Sequence, residues 1–98
     1  MKKEIFNKYV EAVANKFGFT EEELFENTKK RETVDARQII YWLCDDRNMS
    51  VGYIQNYLAS KGFGVSHSTI IHGKRRANEL IEQDIDLSKI VQDIKRSV

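Results

Sequence analysis

Ninety-eight residues, 41% hydrophobic and 32% charged with no proline, fit one water-soluble globular domain and exclude collagen-like, disordered and disulfide-scaffold chains. No run approaches the roughly 18 apolar residues of a membrane span, and no basic-then-apolar leader opens the chain. The lone cysteine, Cys44, has no internal disulfide partner, so the expectation is a cytoplasmic protein. The net charge of +1 hides an uneven distribution. Residues 1–46 hold eight bases and ten acids, and residues 79–98 hold three bases and five acids. Residues 47–78 hold Arg47, Lys61, Lys74, Arg75 and Arg76 and no acid. A long carboxylate-free stretch in an acid-rich chain points to a surface that meets an anion, and nucleic acid is the commonest large one.

Apolar spacing is helical throughout. Ile5, Phe6, Tyr9, Val10 and Val13 share one face of a helix near 4–17, and Gly18 stands where a left-handed cap belongs. Thr20 with Glu23 has capping-box spacing, which predicts a short second helix near 21–26 anchored by Leu24 and Phe25. Lys29, Lys30 and Arg31 form a basic connector. A third helix is expected near 35–47 with Ile39, Ile40 and Leu43 inward, and the pattern leaves open whether Tyr41 or Trp42 is buried. Ser50 caps a fourth helix near 51–59. Residues 59–65, with Gly62 and Gly64, read as a loop, and Ser66 caps a fifth helix near 67–83. Asp86 is taken as the cap of a last helix bearing Leu87, Ile90, Val91 and Ile94. The expectation is an all-α domain of five or six helices over residues 1–98.

No catalytic constellation emerges. His67 and His72 lie five apart, about 140° around a helix, which is not the i, i+4 pair of a zinc site. Cys44 sits in an apolar helix, Glu21 to Glu23 suit a helix start, and Gly62-Phe63-Gly64 lacks the Lys-Ser/Thr of a phosphate loop. Binding chemistry is better supplied. Two helices near 51–59 and 67–83, joined through glycines, have the order of a helix-turn-helix, whose second helix enters the major groove. That helix opens on Ser66, His67, Ser68 and Thr69, short polar side chains suited to base edges and phosphates. His72, Lys74, Arg75 and Arg76 follow one turn later, and three successive bases cannot all point one way.

Arg37-Gln38-Ile39, then Ser50-Val51 with Tyr53-Ile54, then His67-Ser68-Thr69-Ile70-Ile71-His72 resemble the C-terminal DNA-binding domain of DnaA, the bacterial replication initiator. The resemblance covers nearly the whole chain and implies a helix-turn-helix core of Trp-repressor-like type. It implies that His67, Ser68 and Thr69 meet bases and backbone in the major groove, with Ser66 in place of an acid that helps read bases. Lys29 falls where a basic side chain enters the adjacent minor groove. Arg37, with Gln38 beside it, matches phosphate-side positions, and His72 matches the edge of the groove contact. This chain departs from the pattern in several places. Eight residues separate Leu58 from His67, more than the family's short Gly-Gly-Arg/Lys-Asp turn, and Val65 replaces that turn's base. Gln55 stands for a usual Gly, Gly73 for Ala or Ser, and Asp45 occupies a site often basic in the family.

The expected function is sequence-preferring binding of double-stranded DNA, in replication initiation or its control, by a nucleoid-associated protein that is not an enzyme. Ser66 to Thr69 would read the major groove, and Lys29, Lys30 and Arg31 would approach the minor groove or backbone. Arg37, Lys61, Lys74, Arg75 and Arg76 would contact phosphates. No metal, cofactor, membrane or small-molecule substrate is implied. The 98 residues hold no nucleotide-binding motif, so the expectation is an excised or stand-alone domain, the latter encoded by a phage or mobile element. The alternatives are a transcriptional regulator, or a module that binds host replication machinery through the 59–65 loop with Phe63, Tyr53 and Tyr57.

Overall fold

Helix-capping chemistry divides this chain into its elements. The structure, a computed structural model, describes residues 1–98 as α1 (Lys2–Phe17), α2 (Glu21–Leu24), α3 (Arg31–Asp46), α4 (Val51–Ser60), α5 (His67–Gln83) and α6 (Ile85–Ser97), with no strand. None of these helices is long and apolar enough to cross a membrane.

Gly18 closes α1 at φ 75°, a left-handed conformation that costs glycine nothing. The Thr20–Glu23 capping box is complete: the Thr20 hydroxyl accepts from the Glu23 amide at 3.1 Å, and the Glu23 carboxylate accepts from the Thr20 amide at 2.9 Å. Ser50 and Ser66 cap α4 and α5 by accepting from the Tyr53 and Thr69 amides. α3 begins at Arg31, four residues before the predicted start, and its cap position Lys30 makes no side-chain capping bond. The α6 cap is Asp84 rather than Asp86, because the Asp84 carboxylate accepts from both the Asp86 and Leu87 amides.

α3 is the central helix and packs most extensively on α5 and next on α1. The core joins Phe6, Tyr9, Val10 and Val13 of α1 to Ile39, Ile40 and Leu43 of α3, Ile54 and Leu58 of α4, Ile70 of α5 and Ile94 of α6. Each such side chain contributes about 1.5–3 kcal/mol by leaving water. The α3 ring pair divides: Tyr41 is buried, and Trp42 is half-buried with its indole N–H donating to Asn78 at 3.1 Å. Tyr41 lies against Gly73 of α5, where an added Cβ would stand 2.7 Å from the ring. The glycine lets α3 and α5 approach closely, and this approach sets the rotation of α5 and the face it turns outward.

Candidate nucleic-acid interface

The connection from α4 to α5 is two short structures in series. After the last turn of α4, Gly62 adopts φ 80°. Its amide donates to Ala59 at 2.9 Å, and the Phe63 amide donates to Leu58 at 3.0 Å. This doubly bonded, glycine-dependent ending satisfies carbonyls that a helix would otherwise leave open. A short irregular run then reaches Ser66, and the Gln55 side-chain amide holds it to α4 by donating to the Val65 carbonyl at 2.9 Å. The extra loop residues therefore form an anchored strap.

α5 opens on that strap. The Ser66 hydroxyl accepts from the Thr69 amide at 3.2 Å and lies 3.0 Å from the Thr69 hydroxyl. The His67 and Ser68 amides have no acceptor within the chain, so the helix start presents two open donors and the positive end of its dipole. Ser66, His67, Ser68, Thr69 and His72 are all exposed. At about 100° per residue, Ser68, His72, Arg75 and Glu79 form the stripe opposite the buried Ile70, Gly73, Ala77 and Ile81. Ile71, 43% exposed, is the one large apolar side chain exposed on α5. Glu79 ends the acid-free run along the stripe.

The clustered bases separate by their partners. Lys74 pairs with Asp45 at 3.0 Å, and Arg76 pairs with Asp35 at 3.8 Å. These contacts turn the two side chains toward α3, while Arg75 between them is exposed and pairs with no carboxylate. Lys61 is half-buried and pairs with Glu21 at 3.4 Å. Lys29 and Lys30 are exposed and unpaired, and Arg31 makes only a 4.0 Å contact with Asp35. Asp35 therefore stands between Arg31 and Arg76 and brings the basic connector beside the middle of α5.

Arg37 corrects the sequence reading. It is buried, and its guanidinium donates to three backbone carbonyls: Leu24 at 2.7 Å, Glu26 at 2.8 Å and Thr28 at 3.1 Å. Its face lies 4.6 Å from the centre of the Phe63 ring. No carboxylate pairs with it, and burial lowers its pKa from the ordinary arginine value. Gln38 is likewise buried; its Cγ faces Gly73 and its Oε1 has no hydrogen-bond partner. Neither side chain stands on the surface as a phosphate contact requires. The 59–65 loop also differs from the expected apolar docking surface. Phe63 packs inward on Phe25, with ring centres 5.9 Å apart. Tyr57 stacks on Tyr53 and meets Phe6, which leaves Tyr53 as the exposed ring, with Lys2 above it at 4.3 Å.

Other chemistry is sparse. Cys44 is fully buried, and its surroundings push the thiol pKa up to about 12, the condition of an inert packing residue. An apolar cavity of about 340 Å³ between Phe17, Phe19, Ile39, Leu80 and Leu87 is edged by Glu32, Asp35 and Asp84. It gathers carboxylates and apolar surface without a nucleophile or a histidine.

An all-α domain whose glycine-bearing turn presents a polar, capped helix start is a helix-turn-helix protein. Residues 7–77 match the family described as the bacterial dnaA protein helix-turn-helix, and the chain belongs to that family. It is 35% identical over 83 residues to the chromosomal replication initiator protein DnaA of Pelobacter propionicus, covering 85% of this chain and 18% of the relative. Identity to the DnaA of Geobacter metallireducens is 30% over 95 residues, covering 97% of this chain and 20% of the relative. The corresponding protein of Corynebacterium jeikeium is 29% identical, covering 91% of this chain and 15% of the relative. The chain thus spans about a fifth or less of the length of these relatives. No solved structure gives a significant match.

Proposed function

We propose that this chain binds double-stranded DNA with sequence preference, in chromosomal replication initiation or its control, and performs no catalytic step. The start of α5 lies in the major groove. His67 and Ser68 address base edges, and Thr69 and His72 meet the edge of the groove. Ser66 holds the helix start in shape through its cap. The open His67 and Ser68 amides receive a phosphate. Arg75 adds a phosphate contact on the outer stripe, and Lys29, Lys30 and Arg31 reach the backbone or minor groove alongside.

The observation that carries this reading is the outward stripe itself. Small polar donors and acceptors, two open amides and an unpaired arginine occur together on the second helix of the motif. Lys61, Lys74 and Arg76 play a smaller part, since each must exchange a carboxylate for a phosphate. The test is selection from a random duplex library at near-physiological salt, with the bound fraction sequenced. An enriched motif is expected. Retention without enrichment would leave only non-specific binding, and no retention would overturn the proposal.

A further inference from the structure

The buried guanidinium of Arg37 joins three segments distant in sequence. It donates to the carbonyls of Leu24, Glu26 and Thr28, the run that leads directly into Lys29 and Lys30. It stands on α3, and its face meets Phe63 of the strap that leads into α5. Phe63 in turn touches Phe25, and Lys61 at the head of the strap pairs with Glu21. Leu24 is anchored in the core, and beyond Phe25 the connector has only the Glu26 amide on the Glu23 carbonyl, the Thr28 amide on the Glu26 carbonyl and the Thr28 hydroxyl accepting from the Lys30 amide to fix it.

We propose that Arg37 is a positioning residue that locks the 24–30 connector against the α4–α5 strap and so sets where Lys29 and Lys30 stand relative to α5. This rests on the DNA-binding reading above. Arginine suits the task because its planar fork donates to several carbonyls at fixed angles while its face packs on a ring. A lysine at this position keeps the charge and loses that geometry. A phosphate contact would largely survive this exchange, and a positional lock would not.

The test is a double-mutant cycle read by fluorescence anisotropy on the selected duplex over a salt series. The proteins are the unmodified chain, Lys29→Ala/Lys30→Ala, Arg37→Lys and the triple variant, with helix content checked by circular dichroism. The lysine pair is expected to weaken binding about tenfold and lower the salt slope by about two. Arg37→Lys is expected to do much the same, and the triple variant to be no more than about twofold worse than either. Multiplying losses, or no effect of the lysine pair, would overturn the proposal.

A second measurement needs no variant. The Arg37 guanidinium Nε–H signal of the unmodified protein should stay in place when duplex is added, while that of Arg75 shifts. A large shift at Arg37 would mean direct contact with DNA and would overturn the lock even if Arg37→Lys does not fold. Absence of binding by the unmodified chain would instead sink the DNA reading before any variant is compared.

Discussion

Arg37 and Arg75 are the same amino acid, and in sequence both pass for phosphate contacts. The regions around them have become opposites. Around Arg37 the chain closes over the guanidinium and supplies three carbonyls and an aromatic face. Around Arg75 nothing closes, and its neighbours Lys74 and Arg76 are drawn aside by Asp45 and Asp35. The contrast shows that the availability of a base, rather than its presence, decides whether it can meet an anion. A count of positive charges in residues 47–78 therefore overstates the surface they offer, because carboxylates from residues 1–46 answer three of them.

The sharpest way to break the comparison is to remove the buried arginine. Arg37→Met keeps much of the volume and leaves the buried Leu24 carbonyl and the part-buried Thr28 carbonyl without a donor, while the Glu26 carbonyl keeps the Thr28 amide; each unsatisfied group costs about 1–3 kcal/mol. Urea unfolding should show a loss of about 3 kcal/mol or more. A loss below about 1 kcal/mol would mean that the carbonyls find water and that Arg37 is no clamp. Next in size is Gly73→Ala. Alanine favours a helix interior by about 1 kcal/mol. Here, however, the new methyl would stand 2.7 Å from a buried tyrosine ring that has little room to move. Overpacking of this kind costs about 1–3 kcal/mol, so the melting temperature should fall by several degrees. A rise would show that α3 and α5 separate easily.

These two positions also mark where the sequence stopped being informative. The helices were legible because their signals are local. Gly18, the Thr20–Glu23 pair, Ser50 and Ser66 act on amides or carbonyls within a few residues, and each does so in the fold. The start of α3 carries no such local signal, because its cap position, Lys30, makes no side-chain bond. Asp84 and Asp86 both stand near the α6 start, and sequence alone does not separate the cap from its neighbour. The partners of Arg37 are backbone carbonyls, which every residue possesses and no letter announces. The Lys74–Asp45 pair and the Tyr41–Gly73 contact span about thirty positions and exist only once α3 and α5 cross. The start of α5 was legible as a candidate site for the same local reason as the caps, since consecutive residues in one helical turn share their surroundings.

On the outward region the effects are smaller and fall on binding. His67→Ala should leave the fold intact and narrow the gap between the selected duplex and random DNA. One base contact is worth about 1–3 kcal/mol of discrimination, so the ratio of the two affinities should drop about tenfold in competition anisotropy. Equal weakening on both duplexes would move His67 from reading bases to touching backbone.

Arg75→Ala is the complement and should give the smallest effect. With no ion pair to lose, its removal leaves stability within about 0.5 kcal/mol of the unmodified chain. Its contribution to binding is one phosphate contact, which is indifferent to sequence. The affinities for selected and random duplexes should therefore fall together by a few-fold, and the slope of log affinity against log salt should flatten by about one. A change in the affinity ratio would show that Arg75 reaches a base. An unchanged slope would show that the stripe meets DNA only near the start of α5, with Ser68 in the groove, His72 at its edge and Arg75 beyond it.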